Sequence, residues 1–311
     1  MKVSPEFLPD GAGAAHPLPA SHLNAVLAAD PRLARAAPER IGDLFVRTRR
    51  LSPAEVAHIA QVQEAKNLRF GDAAVSLGLL SEQEVWQALS RQYQYPTAPL
   101  DGRFTTYPVV GAPYSQEAEA VRKLRTQILL GLDMRHLQSL VVAGPHGGEG
   151  KTYLAESLAF AFAQNGQRTL LINADLRARQ QSGLFDSQRQ QGLSLVLSGR
   201  QPLQQSLVDT PFLDLKVLDA GPLPPNPAEL FSAPALDQVF NELRGQFDLV
   251  LIDTPAVSRF PDVQLIAQQA SACLIVARQH RTSLSDIQRA KRLVQVAGGR
   301  LLGSVYNVFP R

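Results

Sequence analysis

One stretch of nine residues constrains this chain more than any other. Gly144 to Thr152, GPHGGEGKT, lies between an apolar run, SLVVA, and a helical pattern, YLAESLAFAFAQNG. A strand that ends in a glycine-rich turn and enters a helix through Gly-Lys-Thr is the context of a phosphate-binding loop. Gly147, Gly148 and Gly150 let backbone N–H groups converge on an anion, and the helix N-terminus adds positive potential. Lys151 supplies a cation for the β- and γ-phosphates, and Thr152 offers a hydroxyl to Mg²⁺. The strict spacing of the motif puts Pro145 where its first glycine normally stands.

The surrounding pattern agrees with an α/β domain. Six short apolar segments (SLVVAG, RTLLIN, LKVLDAG, FDLVLIDTP, ACLIVAR and LLGSVYNV) are spaced along residues 114–311 and separated by helical patterns. Continuous apolar strands alternating with helices predict a mainly parallel sheet covered on both faces. RTLLINADLR ends in Asp175 and Arg177, and FDLVLIDTPA ends in Asp253. In a parallel sheet these strand ends share one rim with the glycine-rich loop, so both aspartates can approach its metal. The one cysteine, Cys273, excludes an intramolecular disulfide and a cysteine-built metal cluster, which points to a reducing compartment. No apolar stretch approaches 18 residues, so no transmembrane helix is expected.

Upstream, the texture differs. Residues 1–39 are rich in Ala and Pro and read as a flexible arm. Arg40–Gln63 and Arg69–Gln92 then align at a period of 29 residues, with Arg40, Gly42, Ser52, Glu55 and Gln63 meeting Arg69, Gly71, Ser81, Glu84 and Gln92. The Ser-x-x-Glu in each copy is a helix-opening capping box. Residues 40–98 therefore predict a small helical domain built from a tandem repeat. The proline-containing stretch 99–113 reads as a linker.

These residues carry a family resemblance. GGEGKT, LLINADLR, VLIDTPA and the run GPLPPNPAELF resemble motifs of the bacterial tyrosine kinases of capsule and exopolysaccharide assembly. Their catalytic domain is of the MinD/ParA-like class of P-loop NTPases, and the chain looks closest to chain-length-determinant kinases of the EpsG type. The resemblance implies ATP and Mg²⁺ as cofactors, with Lys151, Asp175 and Asp253 catalytic and Thr152, Asp175 and Asp253 at the metal. Gly147, Gly148, Glu149, Gly150, Lys151, Thr152, Tyr153 and Asn307 would contact the nucleotide; a turn-forming role is the other reading of Asn307. Glu119, Arg122 and Arg125 match the family's oligomerisation helix, which implies a homo-oligomeric ring. The implied partner is an inner-membrane polysaccharide co-polymerase, which would place a cytoplasmic protein peripherally at that membrane.

Two departures oppose simple transfer. Asn173 stands where the family has the first aspartate of its acidic motif, and an amide cannot accept the tyrosine proton. The family's tyrosine-rich tail has no counterpart here, and Tyr306 is expected in the core. A pseudokinase acting as an ATP-dependent assembly switch therefore stands as the alternative. His146 replaces the signature lysine of MinD-type sites and reads as a surface loop residue. The tandem repeat resembles the N-terminal domain of type II secretion and pilus ATPases, whose MshE form binds cyclic di-GMP. Arg40, Gly42, Gln63, Arg69, Gly71, Gly78 and Gln92 would carry that ligand, against the alternative of a purely structural or docking module. Arginines outnumber lysines 25 to 6, but net charge is only −1, +1, +1 and +2 over residues 1–39, 40–99, 100–136 and 137–311. No segment carries a basic field, so no nucleic-acid partner is expected.

Overall fold

The computed structural model describes residues 41–47, 50–66, 68–81, 84–85, 102–178, 182–186 and 190–308. They fall into two compact units, one helical and one α/β. The arm at 1–39 and the candidate residues Arg40 and Gln92 lie outside the described residues.

The helical unit is assembled from equivalent positions of its repeat. Helices α1 (Ile41–Arg47), α2 (Pro53–Lys66) and α3 (Phe70–Ser76) enclose a core that includes Leu44, Phe45, Leu51 and Ala73, Ala74, Leu80, the same three positions 29 residues apart. Both capping boxes form. Ser52 N donates to Glu55 Oε2 at 2.7 Å and Glu55 N to Ser52 Oγ at 3.3 Å. Ser81 N and Glu84 N make the matching bonds at 2.8 and 3.2 Å. An ion pair from Arg50 to Glu84 ties one copy to the other, and it joins Ser81 in holding the Glu84 carboxyl down at about 2.

The α/β unit is built on a seven-stranded sheet, β1 (Gln138–Ala143), β2 (Thr169–Asn173), β3 (Val208–Asp209), β4 (Leu215–Leu218), β5 (Leu249–Asp253), β6 (Ala272–Arg278) and β7 (Leu301–Asn307). Their spatial order is β3-β4-β2-β5-β1-β6-β7, parallel throughout except for the β3–β4 pair. The six expected apolar segments are all strands, and the two-residue β3 is the addition. Helix α4 (Gln116–Gly131) precedes the sheet, α5 (Lys151–Gln164) follows β1, α6 (Ala233–Leu243) precedes β5, and α7 (Asp262–Gln269) and α8 (Leu284–Val296) flank β6. Strand side chains alternate between faces. Leu140, Val142, Leu251 and Leu274 join one core with Leu158 and Phe162 of α5, while Val141, Ile252 and Ile275 join the other with Val263 of α7 and Val294 of α8.

Two expectations need correction. Within the expected linker, residues 102–113 belong to the α/β unit, where Phe104 and Tyr107 pack on Phe160 and Val109 and Val110 are buried. Prolines masked an apolar set too irregular to show a period. Tyr306 is exposed, because β7 is an edge strand on which its neighbours Val305 and Asn307, with Leu302, are the buried residues. Cys273 is buried as expected, its thiol pushed up to about 12 by burial.

Close packing accounts for two repeat glycines. A Cβ on Gly71 would stand 2.5 Å from Val85 Cγ1, and one on Gly42 would stand 3.0 Å from Val56 Cγ1. Gly71→Ala should therefore destabilise the helical unit by about 1–3 kcal/mol, because overpacking outweighs alanine's helix advantage of roughly 1 kcal/mol. Gly42→Ala should cost less, since its contact is looser. Urea denaturation of the full chain, followed by amide exchange in residues 41–85, checks the order.

Candidate functional site

The sheet order brings the chemistry-bearing strand ends together. β5 lies between β1 and β2, and Asp253 is in register with Val142 on one side and Asn173 on the other. The glycine loop leaves β1 one residue later. Gly148 and Gly150 take φ of +75° and +89°, which only glycine adopts without strain, and Gly150 caps α5. Lys151 and Thr152 are thus the first two residues of a 14-residue helix, with the loop amides at its positive end.

Asp253 is the centre of the site. It is fully buried, its Oδ2 accepts Thr152 Oγ1 at 2.6 Å, and its Oδ1 has no hydrogen-bond partner among the described residues. Burial, aided by the nearby carboxylates of Glu156 and Asp175, pushes it up to about 7 against the pull of Thr152 and Lys151. Lys151 is largely buried, its Nζ 2.7 Å from His146 O. Burial lowers its pKa, while Asp253, Glu149 and Asp175 oppose the shift. An orphaned carboxyl oxygen beside a hydroxyl and a second carboxylate fits a hard divalent cation, whose charge would favour the ionised form of Asp253. Thr152, Asp175 and Asp253 are the residues that would hold one.

The segment after β2 is shaped by its polar groups. Asn173 Oδ1 accepts Asp175 N at 3.1 Å, and Asp175 Oδ1 accepts Arg177 N at 3.1 Å. The Arg177 fork is bidentate to the fully buried Asp262 at the start of α7, 2.7 Å in both bonds, and lies over the Phe260 ring. Arg177 is a strut between the β2 loop and α7.

Several expected contacts take a different form. The Glu149 side chain is turned into the protein, where Oε2 accepts His146 N at 2.9 Å and Oε1 accepts Thr282 Oγ1 at 2.7 Å. It braces the loop from beneath, leaving the backbone as its route to a phosphate. Asn307 also braces, donating Nδ2 to Glu149 O at 3.1 Å. The Tyr153 ring stacks on Tyr107 at 5.3 Å, so packing occupies that side chain. His146 has a partner, with Nε2 3.4 Å from Asp286 Oδ1. On α4, Arg125 Nη1 donates to Ala161 O of α5 at 3.1 Å, and Arg122 Nη1 donates to Pro113 O at 2.5 Å and stands 3.8 Å from Glu119. Both arginines serve the fold of their own chain, and Glu119 is exposed.

Residues after β6 were missed. Arg278 Nη1 donates to Gly148 O at 3.0 Å, and Thr282 holds Glu149. The signal was present: VARQHRT follows an apolar strand and ends on the same rim as the loop. The buried Glu156, one turn beyond Thr152, also escaped notice; it accepts hydrogen bonds from Tyr107, Ser182 and Leu184 N. In the helical unit, Arg69 and Gly78 are exposed and Gln63 is half-buried.

The burial of Asp253 has a stability consequence. Between pH 3.8, the ordinary carboxylate value, and about 7 the folded chain keeps a proton that the unfolded chain has lost. Folding is thus increasingly disfavoured as pH rises through that window, with the full cost above it. Asp253→Asn should make the nucleotide-free chain about 2–4 kcal/mol more stable than wild type at pH 8, with the gain shrinking towards pH 5. Urea denaturation at the two pH values checks this, and no gain at pH 8 would contradict it.

Comparison with known proteins agrees with this geometry. A family model described as an AAA domain matches residues 137–296, just over half of the chain. The tyrosine-protein kinase YwqD of Bacillus subtilis is 32% identical over 195 residues, covering 63% of this chain and 82% of YwqD. CpsD of Streptococcus pneumoniae, also named a tyrosine-protein kinase, is 34% identical over 190 residues, covering 61% of this chain and 83% of CpsD. Among solved structures, the kinase domain of the Escherichia coli tyrosine kinase ETK superposes with a TM-score of 0.62 at 28% identity, over 66% of this chain and 81% of that one. The chimerical protein CapA2B2 gives 0.61 at 30% identity, over 72% and 99%. The α/β architecture thus has counterparts among solved structures, and by its similarity to these relatives the chain belongs to the bacterial tyrosine-protein kinase family.

Proposed function

We propose that the α/β unit is a Mg²⁺·ATP-dependent protein-tyrosine kinase acting in exopolysaccharide polymerisation and export. The observation that carries the reading is the buried Asp253 hydrogen-bonded to Thr152 at the mouth of the glycine loop. Bound Mg²⁺·ATP supplies the transferable phosphoryl group. Lys151 and the loop amides would stabilise the charge that spreads over its oxygens, and Thr152, Asp253 and Asp175 would hold the metal. A tyrosine oxygen forms the new P–O bond as the bond to the β-phosphate oxygen breaks. The phenolic proton leaves to a carboxylate or water, with ADP as the leaving group. The exopolysaccharide role is what the resemblance carried by the GPLPPNPAELF run implies, and the relatives above support the kinase activity. It implies a membrane-bound co-polymerase as activating partner and a ring assembled on α4. Among the described residues no helix is long and apolar enough to cross a membrane, so attachment would come through that partner.

One observation favours a second reading, an ATP-dependent assembly switch without tyrosine transfer. Asn173 is buried at the rim and uses its carbonyl oxygen to hold Asp175 N, so it offers no base. A general base contributes roughly 10²–10⁴-fold, and the loose transition state of phosphoryl transfer lowers the need for one. Labelled ATP with phosphotyrosine mapping separates the readings. Wild type should label on tyrosine, Lys151→Ala should not, and Asn173→Asp should label about tenfold faster or more. ATP turnover without tyrosine label, on the chain or on a co-polymerase tail, establishes the switch.

For the helical unit we propose cyclic di-GMP sensing through its arginine repeat. Arg69 is exposed, and a guanidinium can stack on guanine and fork onto phosphate. Gly42 and Gly71 would serve it through packing. Calorimetric titration of the full chain with cyclic di-GMP should give saturable heat that Arg40→Ala with Arg69→Ala abolishes. Absence of heat in wild type leaves the docking role.

A further inference from the structure

The turn after β6 brings more positive charge to the glycine loop than the loop's own architecture uses. Residues 278–282 are fastened on several sides. Arg278 gives its Nη1 to Gly148 O at 3.0 Å, and Thr282 Oγ1 bridges Arg278 N and Glu149 Oε1 at 2.9 and 2.7 Å. Gln279 N donates to Asn307 O at 2.9 Å, while the Asn307 side chain holds Glu149 O. Within the turn His280 takes φ of +61°, a left-handed conformation that a non-glycine residue keeps only where its surroundings over-determine it. The turn is a fixed bracket on the loop.

That bracket carries Arg281. The residue is exposed, and its Nη1 lies 3.4 Å from where a Cβ on Gly148 would stand. The guanidinium therefore covers the side of the loop that glycine leaves bare. Other arginine forks near the sheet ends are filled, Arg177 by Asp262 and Arg168 by Asp248. Arg281 has no side-chain hydrogen bond or ion pair among the described residues. It shares its turn with Arg278, against a glycine loop that leads into Lys151. Like charges gathered this way repel unless an anion joins them, and a guanidinium fork matches phosphate oxygens.

We propose that Arg281 is a phosphate-binding residue of this site, its guanidinium contacting the phosphate chain of the bound nucleoside triphosphate beside Gly148. The assignment rests on the nucleotide-binding reading of the loop. It makes the segment after β6 a ligand-contacting wall as well as a support, with Arg278 and Thr282 as positioning residues.

Displacement of a fluorescent ADP analogue by ADP and by ATP, in Mg²⁺ and at several salt concentrations, tests it on the full chain. Arg281→Ala should weaken both nucleotides by about tenfold or more and flatten the salt dependence, as expected for a lost charge-assisted contact. Arg281→Lys should recover part of the affinity. The melting temperature without nucleotide should stay at the wild-type value, since the side chain has no hydrogen-bond or ion-pair partner to lose among the described residues. Affinities of Arg281→Ala within twofold of wild type, with the same salt dependence, overturn the assignment and leave the nucleotide reading intact. Failure of the wild-type chain to bind either nucleotide overturns both.

Discussion

The hydrogen bond from Thr152 to Asp253, 2.6 Å between the first turn of α5 and the end of β5, is the contact around which the α/β unit is arranged. It needs β5 inserted between β1 and β2, so that the strand carrying Asp253 runs beside the strand that feeds the loop. It also needs a helix that starts at Lys151, because only then does residue 152 sit in the first turn above the aspartate. The two apolar cores on either side of the sheet keep the strand ends fixed and exclude water from the carboxylate. That exclusion raises the Asp253 pKa and leaves Oδ1 without a donor among the described residues. The ligand-free fold thus carries a cost that a divalent cation with a polyphosphate would offset.

Around this centre the loop is held from several directions, and each brace uses a different chemistry. Glu149 works from beneath, accepting His146 N and Thr282 Oγ1. Thr254 and Ser258, just past β5, donate to Val142 O and Pro145 O at 3.0 and 2.5 Å. Arg278 and Asn307 reach in from β6 and β7. A loop whose N–H groups must face an anion cannot also satisfy all its carbonyls internally, so side chains from neighbouring strands do so. This division of labour explains why Glu149 and Asn307, both close to the loop, serve it as supports.

Much of this was legible in the sequence, and the reasons for success and failure are physical. Strands β1, β2, β5 and β6 are buried on both faces almost throughout, which gives a continuous apolar signal that needs no neighbour to interpret. The loop and the aspartates at the ends of β2 and β5 were readable because backbone geometry fixes their residue types. The capping boxes at Ser52 and Ser81 formed as expected because the motif is local. What depended on long-range contact was not readable. Phe104 and Tyr107 sit in a proline-rich stretch without a period, and only Phe160 and Tyr153 show that they belong to a core. Tyr306 was misplaced because its strand is an edge, a fact of sheet order. Arg281 looks like any loop arginine until Gly148 is found beside it.

Thr152 and Asp253 would form a divalent-metal site whose occupancy is coupled to nucleotide on the glycine loop. Calorimetry of ATP binding with Mg²⁺ and with excess chelator, on wild type and Thr152→Val, tests it most directly. Mg²⁺ should tighten ATP binding at least about tenfold in wild type, the scale of one charge-assisted contact, and Thr152→Val should remove most of that gain. Wild-type affinity that is the same with and without Mg²⁺ would contradict it.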